Sequence, residues 1–211
     1  MKWSLFFLAL LSFRTSLLAE EIEKKPAEYQ TCPPCIGLKA EAGVTYFLPE
    51  SHLIRKIYGG GANYYITFAQ KLSKHWEAWG AFNYFSKNGH SLGDKQSTSI
   101  KLYPFSLGFK YLFPFHSSQL DVDLYLQGAF KYYFLRINNH SQFVEKYTSK
   151  EGLGGIFGIG TYLHVYQCFY IDVLINYSFK RFHEVVYLPN TKSQPINAGG
   201  WDFGGGIGYS F

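Results

Sequence analysis

Gly199-Gly200-Trp201-Asp202-Phe203-Gly204-Gly205-Gly206-Ile207-Gly208-Tyr209-Ser210-Phe211 decides how this chain is read. Counted back in steps of two, Phe211, Tyr209, Ile207, Gly205, Phe203 and Trp201 fall on one face. Ser210, Gly208, Gly206, Gly204, Asp202 and Gly200 fall on the other. Successive side chains of a strand point to opposite faces, so the stretch predicts a strand with one aromatic face and one small or polar face. In a soluble sandwich the aromatic face would turn to a core. The same polarity recurs along the whole chain, which favours the reverse: aromatic face to lipid, polar face to the lumen of a barrel.

Seven further segments alternate in the same way. In 36–48, Leu38, Ala40, Ala42, Val44 and Tyr46 alternate with Lys39, Glu41, Gly43 and Thr45. In 60–72, Tyr64, Ile66 and Phe68 oppose Asn63, Tyr65 and Thr67, and in 75–87 Ala78, Gly80, Phe82 and Tyr84 oppose Glu77, Trp79, Ala81 and Asn83. Segment 99–113 sets Tyr103, Phe105, Leu107, Phe109 and Tyr111 against Ser106, Gly108 and Lys110. Segments 120–135, 153–166 and 169–182 repeat the pattern, with Asp121, Asp123, Gln127, Lys131, His164, Asp172, Asn176, Ser178 and Lys180 on their polar faces. About eight strands of roughly ten residues suit the smallest transmembrane barrels. The connections 73–74, 114–119 and 167–168 are short, and 49–59, 88–98, 138–152 and 184–197 are long. Such alternation, with both ends of the barrel on the short-turn side, fits the outer-membrane pattern. Pro104 cannot donate to a ladder, so a bulge or a late strand start is expected there.

The other end of the chain agrees. Met1-Lys2, an apolar run from Trp3 to Phe13, and Ser16-Leu17-Leu18-Ala19 predict a signal peptide over 1–19. Residues 20–35 are charged and contain prolines, and read as a periplasmic linker ahead of a barrel over 36–211. Aromatic residues make up 20% of the chain, while mean hydropathy is only −0.10, which fits strands that are apolar on one face. Without Lys2 and Arg14, 18 basic and 15 acidic side chains leave +3, too mild a charge to argue for nucleic acid.

The layout, closed by a terminal aromatic residue, resembles the small outer-membrane barrels of the OmpA-like and OmpX-like families. The resemblance covers most of 36–211 and rests on architecture and on Phe211, not on a residue-level motif. It implies an all-β, antiparallel up-and-down barrel in the bacterial outer membrane, placed there by the barrel-assembly machinery, with Phe203, Ile207, Tyr209 and Phe211 as its insertion signal. It implies roles in membrane structure, adhesion or surface defence, with no catalytic activity. No segment after Phe211 is expected to bind peptidoglycan.

Lys39, Glu41, Glu77, Lys110, Asp121, Asp123, Lys131, Asp172, Lys180 and Asp202 all fall on predicted lumen faces. A lumen this narrow is filled by side chains, so the charges must pair or be hydrated. They read as a structural plug; the alternative is a gated path for small or hydrophobic solutes. The long loops carry Arg55, Lys56, Lys87, Lys95, Lys146, Lys150 and Lys192 against Glu50, Asp94, Glu145 and Glu184, a set suited to lipid phosphates or a surface ligand. His183-Glu184 raises a lipid-modifying enzyme as a further alternative, since lipid A deacylases place a base there. In those enzymes a Ser lies two residues beyond the His, and here that position is Val185. No constellation calls for a metal or a cofactor, and none is expected. Cys32, Cys35 and Cys168 should share the oxidising periplasmic side. Either Cys32 and Cys35 close on each other, or one of them bridges to Cys168.

Overall fold

Period-two alternation of apolar and polar residues drives nearly every element of the structure. The computed structural model describes residues 37–90, 96–117, 120–139, 147–166, 168–182 and 196–211. The chain divides into two units, Met1–Thr31 and Cys32–Phe211, and every described residue belongs to the second. The expected signal peptide and linker, with Cys32 and Cys35, lie outside the described residues. So do Asp94, Lys95, Glu145, Lys146, His183, Glu184 and Lys192.

The elements are β1 (Leu38–Pro49), α1 (His52–Tyr58), β2 (Gly61–Lys71), β3 (Trp76–His90), β4 (Ser97–Leu102), β5 (Phe105–Ser117), β6 (Leu120–Asn139), β7 (Tyr147–Tyr166), β8 (Phe169–Phe179), β9 (Arg181–Phe182), β10 (Ile196–Asn197) and β11 (Gly200–Ser210). All ladders are antiparallel. β1 pairs with β2, β2 with β3, and β3 with both β4 and β5. Those two together pair with β6, which leads through β7 and β8 to β11. β11 returns to β1 along Lys39↔Ser210 to Pro49↔Gly200, and the sheet closes into a ring of eight walls. Closure leaves no edge strand, so every wall finds its backbone partners inside the ring.

The fourth wall is broken where Pro104 requires it. β4 ends at Leu102 and β5 begins at Phe105. The register on both sides is kept, as Phe85↔Leu102 and Phe82↔Phe105 show against β3. The carbonyl of Pro104 still accepts from the Asn83 amide at 2.9 Å, so only the missing donor interrupts the ladder.

Polarity is inside out. Val44, Ile66, Phe68, Leu107, Phe109, Leu126, Phe130, Ile159, Val173, Phe203 and Ile207 are all exposed on the outside of the ring, while Glu41, Glu77, Lys110, Lys131, Asp172 and Asp202 are buried within it. Monomeric soluble proteins rarely expose apolar patches beyond a few hundred Å². A continuous apolar belt around a closed ring is instead what a bilayer solvates, and the ring is a transmembrane barrel.

Three connections differ from expectation. Residues 49–59 hold a helix, not only loop: α1 is capped by Ser51, whose side chain accepts from the Ile54 amide at 3.5 Å. β5 continues to Ser117, through most of the expected turn at 114–119. β6 and β7 each run for 20 residues and take up much of the expected loop 138–152, including Lys150. The outer ends of β4 and β6 reverse the polarity of the belt. There Ile100, Leu102, Leu135 and Ile137 are buried inside, and Lys101 and Arg136 point outward. Beyond the membrane these strands read like a soluble sheet, which hid their continuation.

Candidate functional site

The lumen is the natural candidate, since a barrel of eight strands is just wide enough to be filled or to pass something small. Its inner half is a network of carboxylates, lysines and tyrosines. Lys39 Nζ lies 2.7 Å from Glu77, whose side chain is 0% exposed. Glu77 also accepts from the Tyr162 hydroxyl at 3.0 Å, and that hydroxyl accepts from Lys110 Nζ at 2.6 Å. Glu41 accepts from Tyr65 at 2.6 Å and from Tyr170 at 3.5 Å, and Asp172 accepts from Tyr125 at 2.9 Å. Lys39 and Lys110 lie 4.1 Å and 5.0 Å from the centre of the Tyr162 ring. The tyrosine rings thus separate like charges while their hydroxyls satisfy the carboxylates.

Halfway along, Asp202 accepts from Asn63 at 2.8 Å and from Thr45 at 3.0 Å, with Lys131 Nζ at 4.0 Å. Gln127 donates to Asn176 across the same level. Among these groups lies a chamber of about 30 Å³, lined in part by Trp79, Ser106, Lys110, Asp172 and Asp202. It is large enough for about two water molecules and far below the ~300 Å³ of a ligand pocket.

The outer half closes differently. Phe47, Ile54, Tyr58, Phe85, Ile100, Leu102, Tyr133, Leu135, Ile137, Phe182 and Ala198 form one apolar cluster, with Ile57 packed against it. α1 supplies Ile54 and Tyr58 at a spacing of four, so one face of the helix enters the barrel. The Tyr58 hydroxyl bonds to Thr98 at 2.9 Å, and burial pushes its pKa up. Gly89 allows the approach: a Cβ there would meet the Ile57 carbonyl at 2.3 Å.

At the inner mouth, His164 Nε2 lies 3.2 Å from Asp123. Donor atoms of Asp121, Asp123 and His164 lie within 4.8 Å of one another, close enough to converge on a cation. Both carboxylates have further interactions, so the group stands as an ion-pair cluster.

Of the ten charges assigned to the lumen, Lys39, Glu41, Glu77, Lys110, Lys131, Asp172 and Asp202 are buried inside it. Asp121 and Asp123 sit at the inner mouth, because β6 has only just begun there, and Asp121 is exposed. Lys180 lies between β8 and β9 at the outer end and donates to the Leu153 carbonyl at 2.9 Å. Phe203, Ile207, Tyr209 and Phe211 face outward. Cys168 is disulfide-bonded, and its partner lies outside the described residues. The tyrosines Tyr125, Tyr162 and Tyr170 were missed as lumen partners, although each is buried at a lumen position, Tyr125 between exposed Leu124 and Leu126 and Tyr170 between exposed Phe169 and Ile171.

No protein-family model matches the sequence, and no curated protein matches it. Solved structures do. Neisserial surface protein A aligns at a TM-score of 0.59 and 14% identity, over 83% of this chain and 97% of that one. Outer membrane protein W of E. coli aligns at 0.51 and 12% identity, over 84% of this chain and 98% of that one. Outer membrane protein AlkL, solved in lipid bilayers, aligns at 0.50 and 12% identity, over 90% of this chain and 96% of that one. The chain therefore has the fold of the small bacterial outer-membrane β-barrels.

Proposed function

We propose that the chain is a closed, non-enzymatic barrel of the bacterial outer membrane that acts through its outward rim and loops on molecules at the cell surface. The lumen carries this reading. Its buried charges are held by one another and by tyrosines, its outer half is packed with apolar side chains, and the chamber among its charges holds about 30 Å³. A conducting pore needs a continuous polar path, and a barrel of eight strands filled by side chains offers none. The name of Neisserial surface protein A agrees with a surface role but does not identify a ligand.

The competing reading is a narrow path for small or hydrophobic solutes, gated by movement of α1. Conductance across planar bilayers separates the two. The closed barrel gives no channel steps above the background of lipid alone, whereas regular steps from the intact chain would favour the path. The barrel's expected partners are outer-membrane lipid and the assembly machinery. A lipid-modifying activity is tested by mass spectrometry of lipid A from cells that express the chain. An unchanged acyl pattern is expected.

A further inference from the structure

Lys101 and Arg136 are direct register partners on β4 and β6. Lys101 lies between buried Ile100 and Leu102, and Arg136 between buried Leu135 and Ile137, so both cations leave the wall on its outer face. Like charges set directly opposite each other destabilise a sheet unless something offsets them. Neither cation has a carboxylate within ion-pair distance among the described residues. Among the described residues, Glu151 is the one acid nearby in register. It stands opposite Phe134, diagonal to Arg136. Arg136 lies 5.8 Å from the centre of the Tyr103 ring, its one recorded contact of this kind.

Height along the wall identifies what faces this pair. One step toward the belt, Tyr84 and Tyr103 lie 5.3 Å apart beside Phe134, and the next step holds exposed Phe105. Aromatic rings of this kind mark the boundary between hydrocarbon and headgroups. Two residues of strand rise about 6–7 Å, which lifts the cations from the aromatic row to headgroup level. They are the first pair of cations above the belt, one step beyond exposed Glu151, where buried and exposed positions exchange polarity. A soluble anion would meet the open rim; this pair faces sideways, into the lipid.

We propose that Lys101 and Arg136 form a binding site for the phosphate of a lipid headgroup in the outer leaflet. The guanidinium offers paired donors, the ammonium a point charge, and the Tyr84–Tyr103 step a platform for the headgroup's sugar or glycerol face. The anion would offset the repulsion built into the pair. The inference rests on the chain spanning a membrane, not on its lumen being closed.

The test uses the full chain in nanodiscs of digalactosyl diacylglycerol, a lipid without phosphate, containing an acylated glucosamine disaccharide, either bis-phosphorylated or stripped of phosphate. Native mass spectrometry of the released barrel counts retained glycolipid, and urea unfolding reports stability. The phosphorylated lipid should be retained and the stripped lipid lost. Lys101→Gln should weaken retention about fivefold, and the double variant with Arg136→Gln about thirtyfold. Lys74→Gln, exposed in the turn between β2 and β3 at the other end of the barrel, should change nothing. The sign of the stability change guards against simple misfolding. Lys101→Gln should stabilise the barrel in phosphate-free discs by relieving repulsion, and destabilise it relative to wild type when the phosphorylated lipid is present. Equal retention of both lipids, unchanged retention in a folded double variant, a stability change of one sign in both discs, or displacement by inorganic phosphate would each overturn the proposal.

Discussion

Glu77 is the residue whose loss should be felt most. It is fully buried, pairs with Lys39 at 2.7 Å and accepts from Tyr162 at 3.0 Å. Its register partner across the wall is Lys110, which donates to the same tyrosine. Glu77→Ala therefore leaves two buried ammonium groups near each other with one carboxylate fewer. Removing one member of a buried ion pair costs about 3–5 kcal/mol, a large share of a small domain's stability. Glu77→Gln keeps an acceptor for Tyr162 and should cost less. Adding Lys39→Met to Glu77→Gln removes both charges, and should return the barrel to within about 1–2 kcal/mol of wild type. The assay is urea unfolding in phosphatidylcholine vesicles, followed by heat-modifiable mobility on gels. A loss below about 1 kcal/mol for Glu77→Ala would refute the claim of a desolvated lumen. A double variant no better than Glu77→Ala would refute the pairing.

The lipid face should reject charge: Val173→Arg, on an exposed position of β8, should cost about 2–4 kcal/mol in the same assay, whereas Val173→Phe should be tolerated. Gly208→Val should block folding, because a Cβ there would meet the buried Tyr170 ring at 2.1 Å; the double change Gly208→Val with Tyr170→Ala should restore some folded barrel. Deletion of Phe211, which is exposed on the outward face, should slow assembly in cells and leave the chain to periplasmic proteases, read as loss of the heat-modifiable form. Disulfide mapping of the full chain should find Cys168 joined to Cys32 or Cys35, and a free Cys168 thiol would contradict the disulfide at this turn.

Much of the fold was legible because lipid imposes a strict rule on a barrel wall. From Ile175 to Phe179 on β8 and from Trp201 to Phe203 on β11, period-two polarity assigns each residue to a face, whereas Leu174, apolar yet buried in the lumen, is placed by strand parity alone. Pro104 announced its own interruption. Legibility failed where the solvent changes. Above the belt Leu135 and Ile137 turn inward while Arg136 faces out, so a reading tuned to outward apolar residues ended the strand at Leu135 and expected a loop from Asn138. α1 was readable in principle from Ser51 as a cap and from Ile54 and Tyr58 four apart, but seven residues are too few for a firm helical period. Within the lumen, the charges stood out by type, whereas Tyr125, Tyr162 and Tyr170 look like their aromatic neighbours. Only strand parity distinguishes a tyrosine that serves a carboxylate from one that faces lipid.

The central claim is a barrel whose outside is lipid-solvated and whose inside is closed. It is tested most directly by thiol accessibility at neighbouring positions on one strand. Ser106 and Leu107 are adjacent on β5, the first 1% exposed beside the chamber and the second 61% exposed on the outside. With the three native cysteines replaced by serine, each position is changed to cysteine and the barrel reconstituted in vesicles. A lipid-soluble maleimide should label Leu107→Cys slowly, since thiolate is scarce in lipid, but faster than Ser106→Cys. A water-soluble, membrane-impermeant one should label neither position from either side. Rapid labelling of Ser106→Cys by the impermeant reagent, at a rate near that of a cysteine placed at exposed Lys56, would contradict the account and establish an open path through the barrel.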